Sequence, residues 1–162
     1  MAADVIVRKY RQKDAGPLCV LVVRSVKQVA SYDYSADQVR VWADRVPSRE
    51  RMDDLGLDGR LRFVAVDLMD EPVGFADLER NGHIGYFYCA PEVVGTGVGR
   101  ALYEALEKEA VELGLKRLFV EASETAKPFF IWLGFSVDHK REFEIERVPI
   151  HNWAMVKLLS AS

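Results

Sequence analysis

The sequence has few cysteines, no excess of positive charge and no long apolar run, and each shortage excludes a class of protein. Its two cysteines, Cys19 and Cys89, exclude a disulfide framework and a cysteine-rich metal site. The 22 Lys and Arg against 25 Asp and Glu give a formal charge of −3, so the broad basic surface of a nucleic-acid-binding protein is absent. The longest strongly apolar stretch, 17–23, is far shorter than the roughly 20 residues of a membrane span.

The rest of the composition is typical of a globular protein. Hydrophobic residues make up 49% and charged residues 29% of the 162-residue chain. This length corresponds to about one domain, and we find neither an internal repeat nor a Gly/Ser/Pro-rich linker. We therefore predict a single domain over 1–162. The N-terminus has no apolar segment of a signal peptide, so we expect a cytoplasmic protein without membrane or nucleic-acid partners.

Hydrophobic periodicity predicts helices and strands that alternate around one sheet. Ser35 and Ser48 predict the starts of two short helices, and Asn81-Gly82 predicts a hairpin with a type I′ turn. The fold class is α/β (α+β), with a single mixed, mostly antiparallel twisted sheet of about six to seven strands flanked by helices. The expected strands are 5–10, 61–68, 73–79, 83–90, 117–122, 135–144 and 150–159, and the longer helices are 14–29 and one that starts at Val98.

A glycine-rich loop, 94–100, joins a predicted strand to a predicted helix. Glycines allow successive backbone N–H groups to turn inward, and the helix dipole adds positive charge, so the loop predicts an anion site. A plain tight turn would also use these glycines. A nucleoside triphosphate site would need Lys and a hydroxyl residue where Arg100 and Ala101 stand, and a dinucleotide site would need G-x-G-x-x-G. The pyrophosphate of coenzyme A is the third alternative.

Two segments resemble the motifs of the GNAT N-acetyltransferase superfamily. Residues 88–102 resemble its motif A, Arg/Gln-x-x-Gly-x-Gly/Ala before a helix; Gly97 and Gly99 match, and Val94 stands where Arg or Gln is usual. Residues 123–135 resemble Asn-x-x-Ala-x-x-Phe-Tyr-x-x-x-Gly-Phe, and the matching positions are Ala126, Phe129, Gly134 and Phe135. The resemblance covers most of the chain. Within that family, the chain resembles an uncharacterised bacterial branch.

This resemblance implies the acyl-CoA N-acyltransferase fold and acetyl transfer from acetyl-CoA to an amine, without a covalent enzyme intermediate. By motif spacing, the backbone N–H of Phe87 would face the negative charge that develops on the thioester carbonyl. The pantetheine arm would run beside 87–89 like an added strand. The implied cofactor-binding residues lie on this strand, the loop and the second motif: Phe87, Tyr88, Cys89, Val94, Gly95, Thr96, Gly97, Val98, Gly99, Arg100, Ser123 and Phe130.

The acceptor amine must lose a proton, and many family members use a Glu near the start of this strand. His83 occupies that position here, and an imidazole with a reference pKa of about 6.5 is suited to this task. Because His83 also follows the hairpin signal, an exposed turn residue is the alternative. Glu79 on the preceding strand is the competing base, and His151 is a further candidate. The three histidines have no metal-ligand spacing, so we predict no metal site.

The sequence defines the proton donor and the acceptor pocket less closely. Phe130 stands where the family often has a Tyr and has no proton to give. Tyr34 and Tyr88 are substitutes, and a thiolate with a pKa of about 8.5 can also leave unprotonated. Ser123 replaces the usual Asn but keeps a hydroxyl for the pantetheine arm. The acceptor pocket is expected over the split of the sheet, under the first two helices. Three aromatic residues are expected to line it, or else to pack a short helix on the sheet: Tyr32, Tyr34 and Trp42.

The leading interpretation is an acetyl-CoA-dependent N-acetyltransferase that acts on a primary amine of a small molecule or a protein. The alternative is a non-catalytic acyl-CoA-binding or regulatory module on the same fold, because Val94 and Phe130 depart from the motifs. A different nucleotide-binding protein is the third hypothesis. Many members of the family pair through their C-terminal strands, so 135–159 predicts a possible homodimer edge.

Overall fold

The computed structural model describes residues 4–160, in which seven strands form one sheet in the order β1-β2-β3-β4-β5-β7-β6. All neighbouring strands are antiparallel except β4 and β5. The strands are Ile6–Lys9 (β1), Leu61–Val66 (β2), Pro72–Leu78 (β3), His83–Cys89 (β4), Arg117–Ala122 (β5), Ser136–Ile145 (β6) and Val148–Leu158 (β7). The α-helices are Ala15–Gln28 (α1), Ala36–Ala43 (α2), Arg49–Gly56 (α3), Val98–Glu112 (α4) and Lys127–Trp132 (α5).

This architecture confirms the predicted fold class. The predicted domain, 1–162, extends at both ends outside the described residues and stays a prediction. Short 3₁₀ turns at Gln12–Asp14, Ala30–Tyr32 and Pro91–Val93 complete the connections. Among the helices of 4–160, none is long and apolar enough to cross a membrane.

The two predicted serine caps begin α2 and α3. Ser35 Oγ accepts the Gln38 N–H at 3.2 Å, and the Gln38 side chain accepts the Ser35 N–H at 2.9 Å, which forms the expected capping box. Ser48 Oγ accepts the Arg51 N–H at 3.1 Å. These bonds fix where each short helix begins, and α2 carries Trp42 toward the sheet.

The hairpin between β3 and β4 forms as predicted, but its turn is not type I′. Gly82 has a φ of +99°, whereas Asn81 keeps a negative φ. The Gly82 N–H donates to Glu79 O at 3.0 Å, and the Glu79 N–H donates to His83 O at 2.8 Å. This is a three-residue connection that ends in a left-handed glycine. A Cβ at Gly82 would lie 2.4 Å from the Arg117 carbonyl oxygen, so packing selects glycine there too.

A turn with two positive φ angles occurs instead between β6 and β7. Glu146 and Arg147 have φ angles of 47° and 67°, and Ile145 pairs directly with Val148 across them. Neither residue is a usual choice for this conformation. The long pairing of β6 with β7 therefore holds the turn, rather than the preference of its residues.

The sheet opens between β4 and β5. These strands pair only at His83 and Ile84, and the rest of β4 has no partner on that side. Against β3, β4 takes three steps from Ile84 to Phe87 while β3 takes two, so β4 contains a bulge at 85–86. A bulge bends the strand that carries it, and β4 therefore turns away from β5 beyond Ile84.

Candidate active site

The backbone of β4 presents unpaired N–H groups to this gap. The Ala90 N–H donates to Val73 O at 2.8 Å, which fixes the alternation of the antiparallel ladder. Because alternate residues bond to the same neighbour, the Tyr88 N–H faces β3. The N–H groups of Phe87 and Cys89 then face the gap that β5 leaves. The family resemblance implied the thioester carbonyl at the Phe87 N–H and the pantetheine arm beside 87–89.

The glycine loop at the end of β4 forms a concave array of N–H groups. Gly95 and Gly97 have φ angles of +80° and +94°, and a Cβ at either would meet no atom within 4 Å. The backbone conformation, rather than lack of space, requires glycine there. The first hydrogen bond of α4 runs from Ala101 N to Gly97 O at 3.0 Å, so the N–H groups of 98–100 precede the helical ladder. The first turn of α4 has no acidic residue, and the loop therefore favours an anion.

Other loop residues have structural roles. The Thr96 hydroxyl donates to Val93 O. The Val94 side chain is 55% exposed and adds no charge to the site. A Cβ at Gly99 would lie 3.1 Å from the Phe129 ring, so Gly99 allows α4 to approach α5 closely.

A groove of about 460 Å³ runs from this loop to the gap. It brings together ten of the twelve residues that were predicted to bind the cofactor; Val98 is buried in the core instead, and Thr96 does not line the groove. The ten residues are Phe87, Tyr88, Cys89, Val94, Gly95, Gly97, Gly99, Arg100, Ser123 and Phe130. We call this cavity the cofactor groove.

A second cavity of about 190 Å³, the acceptor pocket, lies on the other side of the gap. It shares Phe87, Tyr88 and Phe130 with the cofactor groove, so the two cavities are adjacent. Tyr34 and Trp42 line it as predicted, with ring centroids 5.3 Å apart in an edge-to-face arrangement.

The prediction that Tyr32 lines this pocket is corrected by the structure. Tyr32 is 89% exposed and lies on the surface, away from both cavities. It ends the 3₁₀ turn Ala30–Tyr32, and Tyr34, two residues further on, is the tyrosine that is buried. The sequence spacing alone did not distinguish the two.

Tyr34 connects the wall of the acceptor pocket by hydrogen bonds to the main chain at His151 and Glu124. Its hydroxyl donates to His151 O at 3.0 Å and accepts the Glu124 N–H at 2.7 Å. Burial raises the pKa of Tyr34. Because its hydroxyl already makes two hydrogen bonds to the main chain, Tyr34 has a structural role in the pocket wall.

Tyr88 and Cys89 follow Phe87 on β4 and are both protonated at neutral pH. Burial raises the pKa of Tyr88 to about 12, against a smaller lowering by a hydrogen bond with Trp42. Burial also raises the pKa of the Cys89 thiol to about 12. Cys89 therefore lacks the thiolate character of a nucleophile, whereas Tyr88 keeps a proton that it can donate.

His83 lies at the start of β4 between two carboxylates. Its Nδ1 contacts the Glu79 carboxylate, and its Nε2 lies 3.0 Å from Glu121 Oε1. The ring stacks on Phe119, with centroids 5.0 Å apart. His83 lines neither cavity, but Glu121 lines the acceptor pocket. The structure thus brings the two predicted bases together and adds Glu121, which the sequence analysis missed.

Arg60 connects this group to a buried ion pair. Its guanidinium lies 3.7 Å from Glu79 and 3.2 Å from Asp77. Asp77 is fully buried and accepts two hydrogen bonds from Arg62, at 2.6 and 3.1 Å. The Glu79 carboxylate is therefore held from the core side, and its position beside His83 is fixed.

His151, the further candidate base, lies at the edge of the acceptor pocket. Its Nε2 lies 2.8 Å from Glu124 Oε2, and the Trp153 indole N–H donates to the same oxygen. These hydrogen bonds, from Trp153 first and His151 second, lower the pKa of Glu124. His151 thus belongs to a cluster that shapes the wall, and Glu124 is the second carboxylate that the sequence analysis missed.

Comparison with known proteins agrees with this geometry. The family model described as an acetyltransferase (GNAT) domain matches residues 30–157. The uncharacterized N-acetyltransferase YafP of Escherichia coli K12 is 33% identical over 153 residues, which cover 94% of this chain and 95% of YafP. The peptidyl-lysine N-acetyltransferase YjaB of the same organism is 29% identical over 140 residues, 86% of this chain and 88% of YjaB.

A solved structure agrees over almost the full length. The GCN5-related N-acetyltransferase from Rhodopseudomonas palustris superposes with a TM-score of 0.89 at 33% identity, over 98% of each chain. The predicted enzyme class, N-acetyltransferase, and the predicted acetyl donor, acetyl-CoA, are thereby confirmed for this chain at the level of its family. With its split sheet, its glycine loop and these relatives, the chain belongs to the GNAT acetyltransferase family.

Proposed function

We propose that this enzyme transfers an acetyl group from acetyl-CoA to a primary amine of a small molecule or a protein by direct attack in a ternary complex. One observation carries the proposal: the cofactor groove and the acceptor pocket meet at Phe87, where the strands separate. An acetyl donor and an amine that entered from opposite sides would be held together there. Such positioning accounts for a large part of the rate acceleration of a two-substrate enzyme.

The residues fit coenzyme A. The N–H groups of 95–100 suit its pyrophosphate, and the N–H groups of Phe87 and Cys89 suit an extended pantetheine arm. Val94 replaces a longer polar side chain, but a site built from backbone N–H groups does not depend on that side chain. When bound, acetyl-CoA supplies a thioester carbonyl as the electrophile.

Phe87 is the proposed oxyanion donor. Its N–H faces the gap and is fixed by the ladder between β3 and β4. A fixed donor at the position where negative charge develops accelerates acyl transfer by about 10²- to 10³-fold. This donor belongs to the main chain, so side-chain substitution at Phe87 would leave it in place.

His83 is the proposed base, and it acts through Glu121. Glu121 lines the acceptor pocket and contacts His83 Nε2 at 3.0 Å, so it receives the proton of the incoming ammonium first. Glu79 holds the other ring nitrogen and stabilises the imidazolium that forms. General-base assistance of this kind contributes about 10²- to 10⁴-fold.

Tyr88 is the proposed hydrogen-bond donor to the leaving thiolate. It lines both cavities and is protonated at neutral pH. Because its pKa of about 12 lies above the roughly 8.5 of a thiol, it keeps its proton, and the thiolate leaves unprotonated and takes a proton from water. Phe130, which stands at the family's usual tyrosine position, is 2% exposed and packs its ring against Phe87 and Phe129. It serves as an apolar wall between the two cavities.

The acceptor pocket favours a slender, cationic amine. Most of its lining residues are aromatic or apolar, and no Lys or Arg of the described residues lines it. Its polar lining residues are Glu121, Ser123, His151 and Asn152, of which Glu121 is the carboxylate. Aromatic faces and a carboxylate both attract an ammonium group. A lysine side chain meets this description, which is also the acceptor named for the relative YjaB.

Thermal unfolding with and without acetyl-CoA, followed by an amine screen, tests the proposal. Acetyl-CoA at 100 times its Kd adds about 2.7 kcal/mol to the free energy of unfolding, and each kcal/mol raises Tm by roughly 2–4 °C. NAD and ATP are the control ligands and should have no effect. Release of free thiol with at least one amine completes the proof. A Tm shift without turnover would favour the non-catalytic acyl-CoA-binding alternative, and no shift would contradict both.

A further inference from the structure

Trp132 is a large aromatic side chain that stays exposed beside the glycine loop, and the proposed mechanism does not use it. It is 63% exposed. Its ring centroid lies 6.4 Å from that of Phe129 with the planes 30° apart, and the Arg100 guanidinium lies 5.5 Å from the indole centroid. Because Phe129 itself packs against Gly99, the indole is held close to the start of α4. The position of Trp132 is therefore fixed although its surface is open.

Arg100 and Trp132 lie where the cofactor groove meets a second groove between α4 and α5. This second groove has a volume of about 610 Å³. The Tyr103 hydroxyl is buried in its wall and has no hydrogen-bond partner among the described residues. The cofactor groove therefore continues past the glycine loop into space that can hold a further part of a ligand.

Arg100 places a positive charge where a helix does not favour one. It lies in the first turn of α4, whose dipole is positive at that end. Its Nε donates to Glu104 at 2.9 Å, and its two terminal amino groups donate to no residue within 4–160. Of the two other cations that line the second groove, Lys108 lies about two helical turns further along α4, and Lys157 is already bonded to Glu107 and to a carbonyl oxygen. The guanidinium at the loop is thus the group best placed to receive an anion.

We propose that Trp132 and Arg100 bind the 3′-phosphoadenosine end of coenzyme A, with the adenine on the indole and the 3′-phosphate on the guanidinium. The inference rests on the proposed function, which assigns the thioester to Phe87 and the pyrophosphate to 94–100. Coenzyme A is linear, and its adenosine follows the pyrophosphate on the side opposite the pantetheine. The adenosine must therefore lie beyond the loop, where Trp132 and Arg100 stand. Arginine matches phosphate geometry, and aromatic faces stack with bases.

Calorimetric titration of three ligands tests the arginine. Coenzyme A has the whole nucleotide end, dephospho-CoA lacks the 3′-phosphate, and 4′-phosphopantetheine lacks the adenosine. The wild type should bind coenzyme A at least about tenfold more tightly than dephospho-CoA, as a charge-assisted bond requires. Arg100→Gln should abolish this preference, because it should weaken coenzyme A by at least about tenfold more than it weakens dephospho-CoA. Arg45→Gln, an exposed arginine outside both grooves, is the control and should keep the preference.

The same titrations test the tryptophan. Trp132→Ala should weaken coenzyme A and dephospho-CoA alike, by roughly 5- to 100-fold, because the stacked base loses its partner. The Kd of 4′-phosphopantetheine should not change, and Trp132→Phe should regain part of the affinity for the nucleotides. Equal binding of coenzyme A and dephospho-CoA by the wild type would overturn the inference for Arg100, and a loss for all three ligands in Trp132→Ala would overturn it for Trp132. If the wild type binds 4′-phosphopantetheine as tightly as coenzyme A and dephospho-CoA, the adenosine adds no affinity. That result would contradict the adenosine subsite and leave the proposed function intact.

Discussion

Gly97 shows how a single backbone angle can carry a binding site. It precedes the first residue of α4 with a φ of +94°, and the N–H groups that follow it open into the cofactor groove. Gly59, which lies outside both cavities, has nearly the same φ, +100°. A Cβ at either glycine would meet no atom within 4 Å. The two positions therefore have the same conformational requirement and differ in what surrounds them.

Alanine at these two positions should separate stability from binding. Gly97→Ala and Gly59→Ala should each lower the free energy of unfolding by about 1–2 kcal/mol, the cost of a left-handed alanine. Gly97→Ala should also weaken acetyl-CoA by at least about tenfold, because the shifted backbone misdirects N–H groups that bind an anion. Thermal unfolding and calorimetric titration measure the two effects. Equal acetyl-CoA affinity in both variants would argue against the loop as the pyrophosphate site.

His83 should be needed for turnover but not for cofactor binding. His83→Gln should lower kcat/KM by about 10²- to 10⁴-fold, because the base is lost, and should leave the Kd of acetyl-CoA unchanged. It should also change the dependence of kcat/KM on pH, because the proposed base is missing. His139→Gln is the matched control, since His139 is exposed on β6 and lines neither cavity. An unchanged pH profile in His83→Gln would exclude His83 as the base.

At this scale the sequence predicted the residues of local motifs and missed those brought in by distant strands. The glycine loop and His83 were proposed from the sequence because their neighbours in the chain define them. Glu121 was not predicted, because it alternates with the buried residues Leu118 and Val120 of the same strand. In the sequence, such a polar residue has the pattern of an ordinary surface position. Only the pairing of β4 with β5 places its carboxylate beside His83.

The turn between β6 and β7 is the element whose residues least suit its conformation. Glu146 and Arg147 both hold positive φ angles, which Asn and Gly adopt more easily. Replacement of the pair by Asn-Gly should stabilise the protein by about 1 kcal/mol and raise Tm by roughly 2–4 °C. Thermal unfolding measures this, and the acetyl-CoA affinity should stay constant because the turn lies outside the cofactor groove. A lower Tm would mean that other interactions of the two side chains outweigh the backbone preference.

Strands and helices were predicted closely, whereas the irregular points between them were not. Periodicity located β5 at its observed bounds, Arg117–Ala122, because alternation extends over the whole strand. The bulge at 85–86 leaves no such pattern, since one extra residue changes the pairing and not the composition. The type I′ turn at Asn81-Gly82 was predicted wrongly for a related reason, because packing of Gly82 against Arg117 decided the turn. No turn was predicted at Glu146 and Arg147, where the long hairpin holds the backbone.

The whole sheet consists of two parts, β1–β4 and β5–β7, which the residue pairs at His83 and Ile84 join. Tyr34 adds a connection across the gap, from the segment before α2 to Glu124 and His151. A cofactor bound along β4 would give the open part of that strand a hydrogen-bonding partner. The two parts of the sheet are therefore expected to respond to acetyl-CoA together.

Hydrogen exchange should detect this response. Acetyl-CoA at 100 times its Kd should slow exchange at the amides of Phe87 and Cys89 by up to about 100-fold, because they gain acceptors. Tyr88 is the internal control, since its N–H already faces β3 and should exchange slowly with or without ligand. Exchange resolved by residue with NMR measures all three. Fast exchange at Phe87 and Cys89 in a saturated sample would contradict the extended pantetheine site.

Homodimerisation stays a prediction at this scale. Among the described strands, β6 forms one edge of the sheet and pairs only with β7. Its residues are mostly exposed, as an edge available to a second copy requires. Sedimentation at micromolar concentration decides between a single 18.4 kDa species and a pair.

The gap beside β4 also has a consequence for inhibitor design. Phe87 and Cys89 offer two main-chain donors on the same side of a strand, separated by two residues or about 7 Å. A compound with an extended amide backbone and two carbonyl groups at that spacing would mimic a missing strand. Because the donors belong to the main chain, only a substitution by proline, which has no N–H, would remove one of them. Resistance through these donors would require such a proline or a change in the bulge itself, and either change would also disturb the pairing on which the natural ligand depends.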